Sequence, residues 1–157
     1  ASDRGIETVS FDQDPGAVEL NYSAGVDKKD TNILPLVLDL KNPSPKIGWA
    51  NQERMDLVER GPVDMLLALA LIHHLAIANN VPLGMIAEYF RSLCAWAVVE
   101  FVPKIDKQTV RLLASREDVF NDYSEERFEE AFANFFSIQA KHRLDDSERT
   151  LYLMRGL

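Results

Sequence analysis

The sequence predicts an α/β fold: a doubly wound, mostly parallel sheet that closes with a carboxyl-terminal antiparallel hairpin. Two observations carry this expectation. Apolar runs of strand length alternate with stretches of helical period over residues 7–102, the pattern of a parallel sheet covered by helices. The last two runs, at 136–142 and 150–154, are joined by a link too short for a crossover helix, so they must pair antiparallel.

In order along the chain, strands are expected at residues 7–11, 34–38, 63–69 and 96–102, and their near-continuous hydrophobicity predicts burial on both faces. Asp14 can cap the first helix with Pro15 at its first position, and Gly25 lies just past its expected end. A second helix is expected over 51–59, stopped by Arg60-Gly61-Pro62. The apolar run from Met65 to Ala78, interrupted by His73-His74, reads as a buried strand running into a loop. It is shorter than the roughly 18 residues a membrane span needs. Pro82 opens a third helix whose Leu83, Ile86, Ala87, Phe90 and Leu93 fall on one face, toward the sheet. A shorter helix over 107–115 would turn Val110 and Leu113 inward. Ser124 caps the next, with Glu125 and Glu126 in its positive first turn and Phe128, Ala131, Phe132 and Phe135 on one stripe.

With 157 residues, 46% hydrophobic and 27% charged, the sequence reads as one folded domain spanning 1–157. A net charge of -8 argues against direct nucleic-acid partners, because phosphate binding draws on surplus Lys and Arg. The first residues carry no apolar signal core, and no membrane association is expected. One cysteine, Cys94, sits in an apolar stretch and reads as inert core, which fits a reducing, cytoplasmic setting.

Asp12 ends an apolar strand immediately before a helix, where a doubly wound sheet holds the two hydroxyls of a ribose. Four segments resemble class I S-adenosylmethionine methyltransferases in order and spacing. Val9-Ser10-Phe11-Asp12-Gln13-Asp14-Pro15 is similar to that family's second-strand acidic segment, and Leu36-Val37-Leu38-Asp39-Leu40 to its third-strand end. The run from Val63 through Ala70 to His73-His74-Leu75 resembles the fourth strand and the turn after it, and Ser147-Glu148-Arg149-Thr150-Leu151-Tyr152-Leu153 the closing strand.

The resemblance implies S-adenosylmethionine as cofactor, with contacts at Asp12 to the ribose, at Asp39 to the adenine amino group, and at Gln13, Leu40 and Ala70. It implies methyl transfer to a small-molecule or protein acceptor, with His73 or His74 as general base where the acceptor must lose a proton. No metal site is implied, since adjacent histidines rarely share one ion and no cluster completes a ligand set. The family's Gly-rich first motif has no counterpart here. The resemblance therefore implies a truncated domain, beginning after its first strand and inactive alone. Without that central strand, a homodimer through unpaired strands or a rearranged amino-terminal half is expected.

Plainer roles stand beside these. Asp12 could simply cap the next helix, although Asp14 is better placed, and Asp39-Leu40-Lys41-Asn42-Pro43 could be an ordinary turn. One histidine ring could pack under its turn while the other makes a structural hydrogen bond. The Pro-rich segments at 42–46 and 103–106 could shape an acceptor pocket or be rigid strand exits. Trp49 could anchor a loop beside an exposed Glu53/Arg54 pair. Stretches 48–54 and 100–106 resemble subfamily insertions. A non-catalytic interaction domain of the same fold and a nicotinamide-dependent oxidoreductase are the competing functions, the second disfavoured by the closing hairpin.

Overall fold

A computed structural model describes residues 1–114 and 118–157. It divides into two compact units, Ala1–Pro45 and Lys46–Leu157. In the first, β1 (Thr8–Asp12) and β2 (Ile33–Val37) pair in parallel, joined by α1 (Pro15–Lys28). Asp14 caps α1 by accepting the Gly16 N–H at 2.8 Å. Gly25 does not end the helix as expected. The stop comes at Lys29, in the left-handed region with φ 52, whose N–H returns to the Gly25 and Val26 carbonyls. A Cβ at Gly25 would make only ordinary contact with Ile33 Cγ2 at 3.4 Å. Among the described residues of this unit, Pro35 alone is buried.

The second unit holds a four-stranded sheet in the order β3-β4-β6-β5. Its strands are β3 (Val63–Ala68), β4 (Cys94–Phe101), β5 (Phe136–Arg143) and β6 (Thr150–Gly156). β3 and β4 run parallel, while β6 is antiparallel to both β4 and β5, so the expected closing hairpin is present. The mixed sheet with its crossover helices agrees with the predicted fold class. Among the described residues, β1 and β2 are the edge strands of the first unit, and β3 and β5 those of the second.

One face of this sheet is covered by α2 (Leu83–Leu93) and α4 (Glu125–Ala133). Ile86, Ala87, Phe90 and Leu93 are buried on α2 as the spacing predicted, and Phe128 and Phe132 on α4. They meet Ala68, Ala97, Val99, Phe101, Tyr152 and Met154 of the sheet, all fully or nearly fully buried. Aromatic rings knit the layer: Phe128 lies 5.0 Å from Tyr152 and 5.2 Å from Phe101, centroid to centroid.

Several expectations are corrected. β3 is not buried on both faces, for Val63, Met65, Leu67 and Leu69 are each about half exposed, at 48–55%, whereas the consecutive residues Val99, Glu100, Phe101 and Val102 at the end of β4 are all buried. Alternate β3 residues point away from α2 and α4, and no described element covers them. No helix forms over 51–59. Only a short 3-10 turn, Trp49–Asn51, is present, and the Glu53 and Arg54 N–H groups donate to the Ile47 carbonyl at 3.1 Å each. With Ala50 and Asn51 at positive φ and Asp56 bonding the Glu59 N–H, local bonds outcompete the helix. Trp49 anchors nothing, being 87% exposed.

The run after β3 is not a loop. His74–Ala78 forms a π-helical turn that buries Leu75, Ala76 and Ile77, satisfying its backbone locally while turning apolar side chains inward. α3 (Lys107–Leu113) turns Thr109 inward, whereas Val110 is 52% exposed. Asp106 caps it by accepting the Gln108 N–H at 2.8 Å, and Leu113 is half-buried on the side of Thr109. Ser115, in the expected helix over 107–115, lies outside the described residues.

Candidate functional site

In the first unit, parallel pairing puts the carboxyl ends of β1 and β2 side by side, Asp12 in register with Val37. The Leu38 N–H extends the ladder to the Asp12 carbonyl at 2.9 Å, so Asp12 and Asp39 lie at the same edge. Asp12 does not cap α1. Its Oδ1 accepts the Asp14 N–H at 2.9 Å, which steers the chain toward the helix, and its side chain is exposed. Gln13 is exposed beside it. Asp39 sits in a turn: its Oδ1 accepts the Lys41 N–H at 3.0 Å and its Oδ2 lies 3.5 Å from Lys41 Nζ. Leu40 is half-buried in that turn.

In the second unit, the chain leaves β3 through Ala70, whose φ of 49 is unusual for a residue with a Cβ. This conformation costs about 1–2 kcal/mol for an L-residue. The Ala70 N–H donates to Glu100 Oε2 at 2.6 Å. Glu100 is 6% exposed on β4, and its Oε1 accepts from Arg149 Nη1 at 3.2 Å. Arg149 also forks onto Asp106, Nε to Oδ2 at 2.8 Å and Nη2 to Oδ1 at 3.1 Å. The guanidinium holds the Asp106 carboxyl below its ordinary range, and the same pairing raises Arg149.

The two histidines take different positions. His73 is wholly buried, and neither ring nitrogen has a hydrogen-bond partner among the described residues. Burial first, then the neighbouring His74 and Arg149, lower its pKa to about 4, so the ring is neutral near pH 7. His74 is exposed, its ring 4.2 Å from that of His73. A second unpaired buried group, Thr109 Oγ1, belongs to α3, which packs on this turn. Among the described residues no group of three His, Cys, Asp or Glu could hold a metal. Cys94 is buried, and burial raises its thiol pKa.

A cavity of about 540 Å³ lies between the start of α2 and α4, lined in part by Pro82, Leu83, Tyr123 and Arg127. Neither histidine nor Ala70 lines it. Sequence reasoning missed the Glu100–Arg149–Asp106 cluster. The available signal was a lone acid inside the apolar run Trp96–Val102, whose burial required a cation somewhere else in the chain.

No protein-family model matches the chain. The nodulation protein NoeA of Rhizobium meliloti (strain 1021) is 42% identical over 153 residues, covering 97% of this chain and 32% of the relative. The chain thus spans about a third of that curated relative's length. Among solved structures, WbdD matches with a TM-score of 0.65 at 11% identity, over 98% of this chain and 31% of that one. The PH0226 protein from Pyrococcus horikoshii OT3 matches with a TM-score of 0.56 at 14% identity, over 99% of this chain and 74% of that one. At these identities the structural likeness is one of fold. No described helix is long and apolar enough to cross a membrane.

Proposed function

From a chain that has the class I S-adenosylmethionine methyltransferase-like fold, we propose that the protein serves S-adenosylmethionine-dependent methyl transfer to a small molecule or a protein side chain. The observation that carries this reading is the pair of carboxylates, Asp12 and Asp39, at the carboxyl edge of one parallel strand pair. An exposed carboxylate at Asp12 suits two ribose hydroxyl donors, and one at Asp39 suits an amino donor, so the residues present fit the adenosine part of the cofactor. Gln13, Leu40 and Ala70 are the remaining proposed contacts. The bound cofactor supplies an electrophilic methyl group, and the chain's contribution is alignment, which can account for most of the acceleration in an in-line displacement.

Of the two histidines, His74 is the better general base, because its ring reaches solvent and His73 is enclosed. His73 supports the turn from beneath. The buried Cys94 favours a reducing cytoplasmic compartment. A homodimer through unpaired strands is part of the same proposal, with no nucleic-acid partner. A non-catalytic interaction domain is the second reading, favoured by the open apolar face of β3.

Equilibrium dialysis of the full-length protein against S-adenosylmethionine and, separately, reduced nicotinamide dinucleotide tests this. Saturable binding of the first alone is expected. Binding of the nicotinamide cofactor alone would make the protein an oxidoreductase, and binding of neither would favour the interaction domain.

A further inference from the structure

We propose that Glu100 is a positioning residue for the turn after β3, holding Ala70 in the conformation its cofactor contact requires; this rests on the function proposed above. β4 is otherwise apolar through its buried half, and a carboxylate there is unfavourable unless it is partnered on both oxygens. One oxygen pairs with Arg149, while the other accepts the Ala70 N–H at 2.6 Å. The Arg149 fork on Asp106 is bidentate without Glu100, so neutralising Arg149 does not explain the acid. Its distinctive task is the Ala70 amide. An alanine at φ 49 needs such an external hold, because its Cβ crowds its own carbonyl.

The network also fixes where that hold is applied. Asp106 caps α3, Arg149 stands directly before β6, and Glu100 is the penultimate residue of β4, so three elements converge on the turn that leads into His73 and His74. A charge-assisted hydrogen bond anchored in this way resists the turn's relaxation toward negative φ.

The test measures S-adenosylmethionine affinity by calorimetry and, without cofactor, hydrogen exchange of the Ala70 amide in the full-length protein. Glu100→Ala should weaken binding by about tenfold and speed exchange by a similar factor, the scale of one lost charge-assisted hydrogen bond. Glu100→Gln retains an oxygen for the Ala70 N–H and should stay within about threefold of wild type. Adding Ala70→Gly to Glu100→Ala should restore affinity to within about threefold, because glycine adopts positive φ without help. Unchanged affinity in Glu100→Ala, or a tenfold loss in Glu100→Gln, would overturn the inference while leaving the proposed function standing. Where Glu100→Ala does not fold, a tenfold loss in Glu100→Gln still overturns the inference. Failure of the wild-type protein to bind the cofactor would overturn both.

Discussion

His73 illustrates how a single side chain couples this fold to pH. Burial, reinforced by His74 and Arg149, lowers its pKa to about 4 in the folded protein, against roughly 6.5 for an unperturbed imidazole. Between those values the unfolded chain binds the extra proton, so His73's contribution to stability is complete above about pH 6.5, falls as pH drops, and levels off below about pH 4. The difference corresponds to roughly 3–3.5 kcal/mol. Urea unfolding at about pH 7 and pH 5 should therefore show a smaller pH dependence in His73→Leu than in wild type. Identical slopes would contradict the account. Asp106 acts in a different window: Arg149 lowers its pKa, so its contribution is present above the ordinary carboxylate range and is lost only as pH falls below it.

At the level of elements, α4 offers the cleanest comparison. Ser124 Oγ accepts the Arg127 N–H, and Ser124→Ala should cost about 1 kcal/mol by thermal or chemical unfolding. Phe132 is fully buried with its ring 4.3 Å from Phe128, so Phe132→Ala should cost roughly 3–5 kcal/mol. Similar costs for the two would mean that the aromatic layer is not the core of this unit. Both features were legible in sequence because capping and helical period are local. The four parallel-type strands and the hairpin were legible for the same reason. The segment at 51–59 was not, since its outcome turns on the Ile47 carbonyl capturing the Glu53 and Arg54 amides, a short-range bond that neither a cap residue nor an apolar period signals. On α3 the expected inward Leu113 is half-buried, four positions after buried Thr109, whereas Val110 is exposed. The strand-end placement of Asp12 and Asp39 was legible in sequence, whereas the Glu100 network joins residues up to 49 positions apart.

At the scale of whole units, each sheet ends in open strands, and the second unit also exposes an apolar face on β3. Among the described residues β1, β2, β3 and β5 each lack a partner on one side, and Val63, Met65 and Leu67 expose about half their surface. Such edges pair readily with other chains, so self-association of residues 1–157 is expected by light scattering. Replacing Met65 and Leu67 with Lys should shift it toward monomer; a wild-type monomer would remove the dimer from the account. The central claim, however, is that the fold serves S-adenosylmethionine through its strand-end acids. Titration calorimetry of full-length wild type and Asp12→Ala with S-adenosylmethionine tests it most directly. The account predicts binding by wild type and a loss of roughly 1.5–3 kcal/mol in the variant, the scale of a hydrogen bond to a charged group. Equal affinities in the two proteins would contradict it.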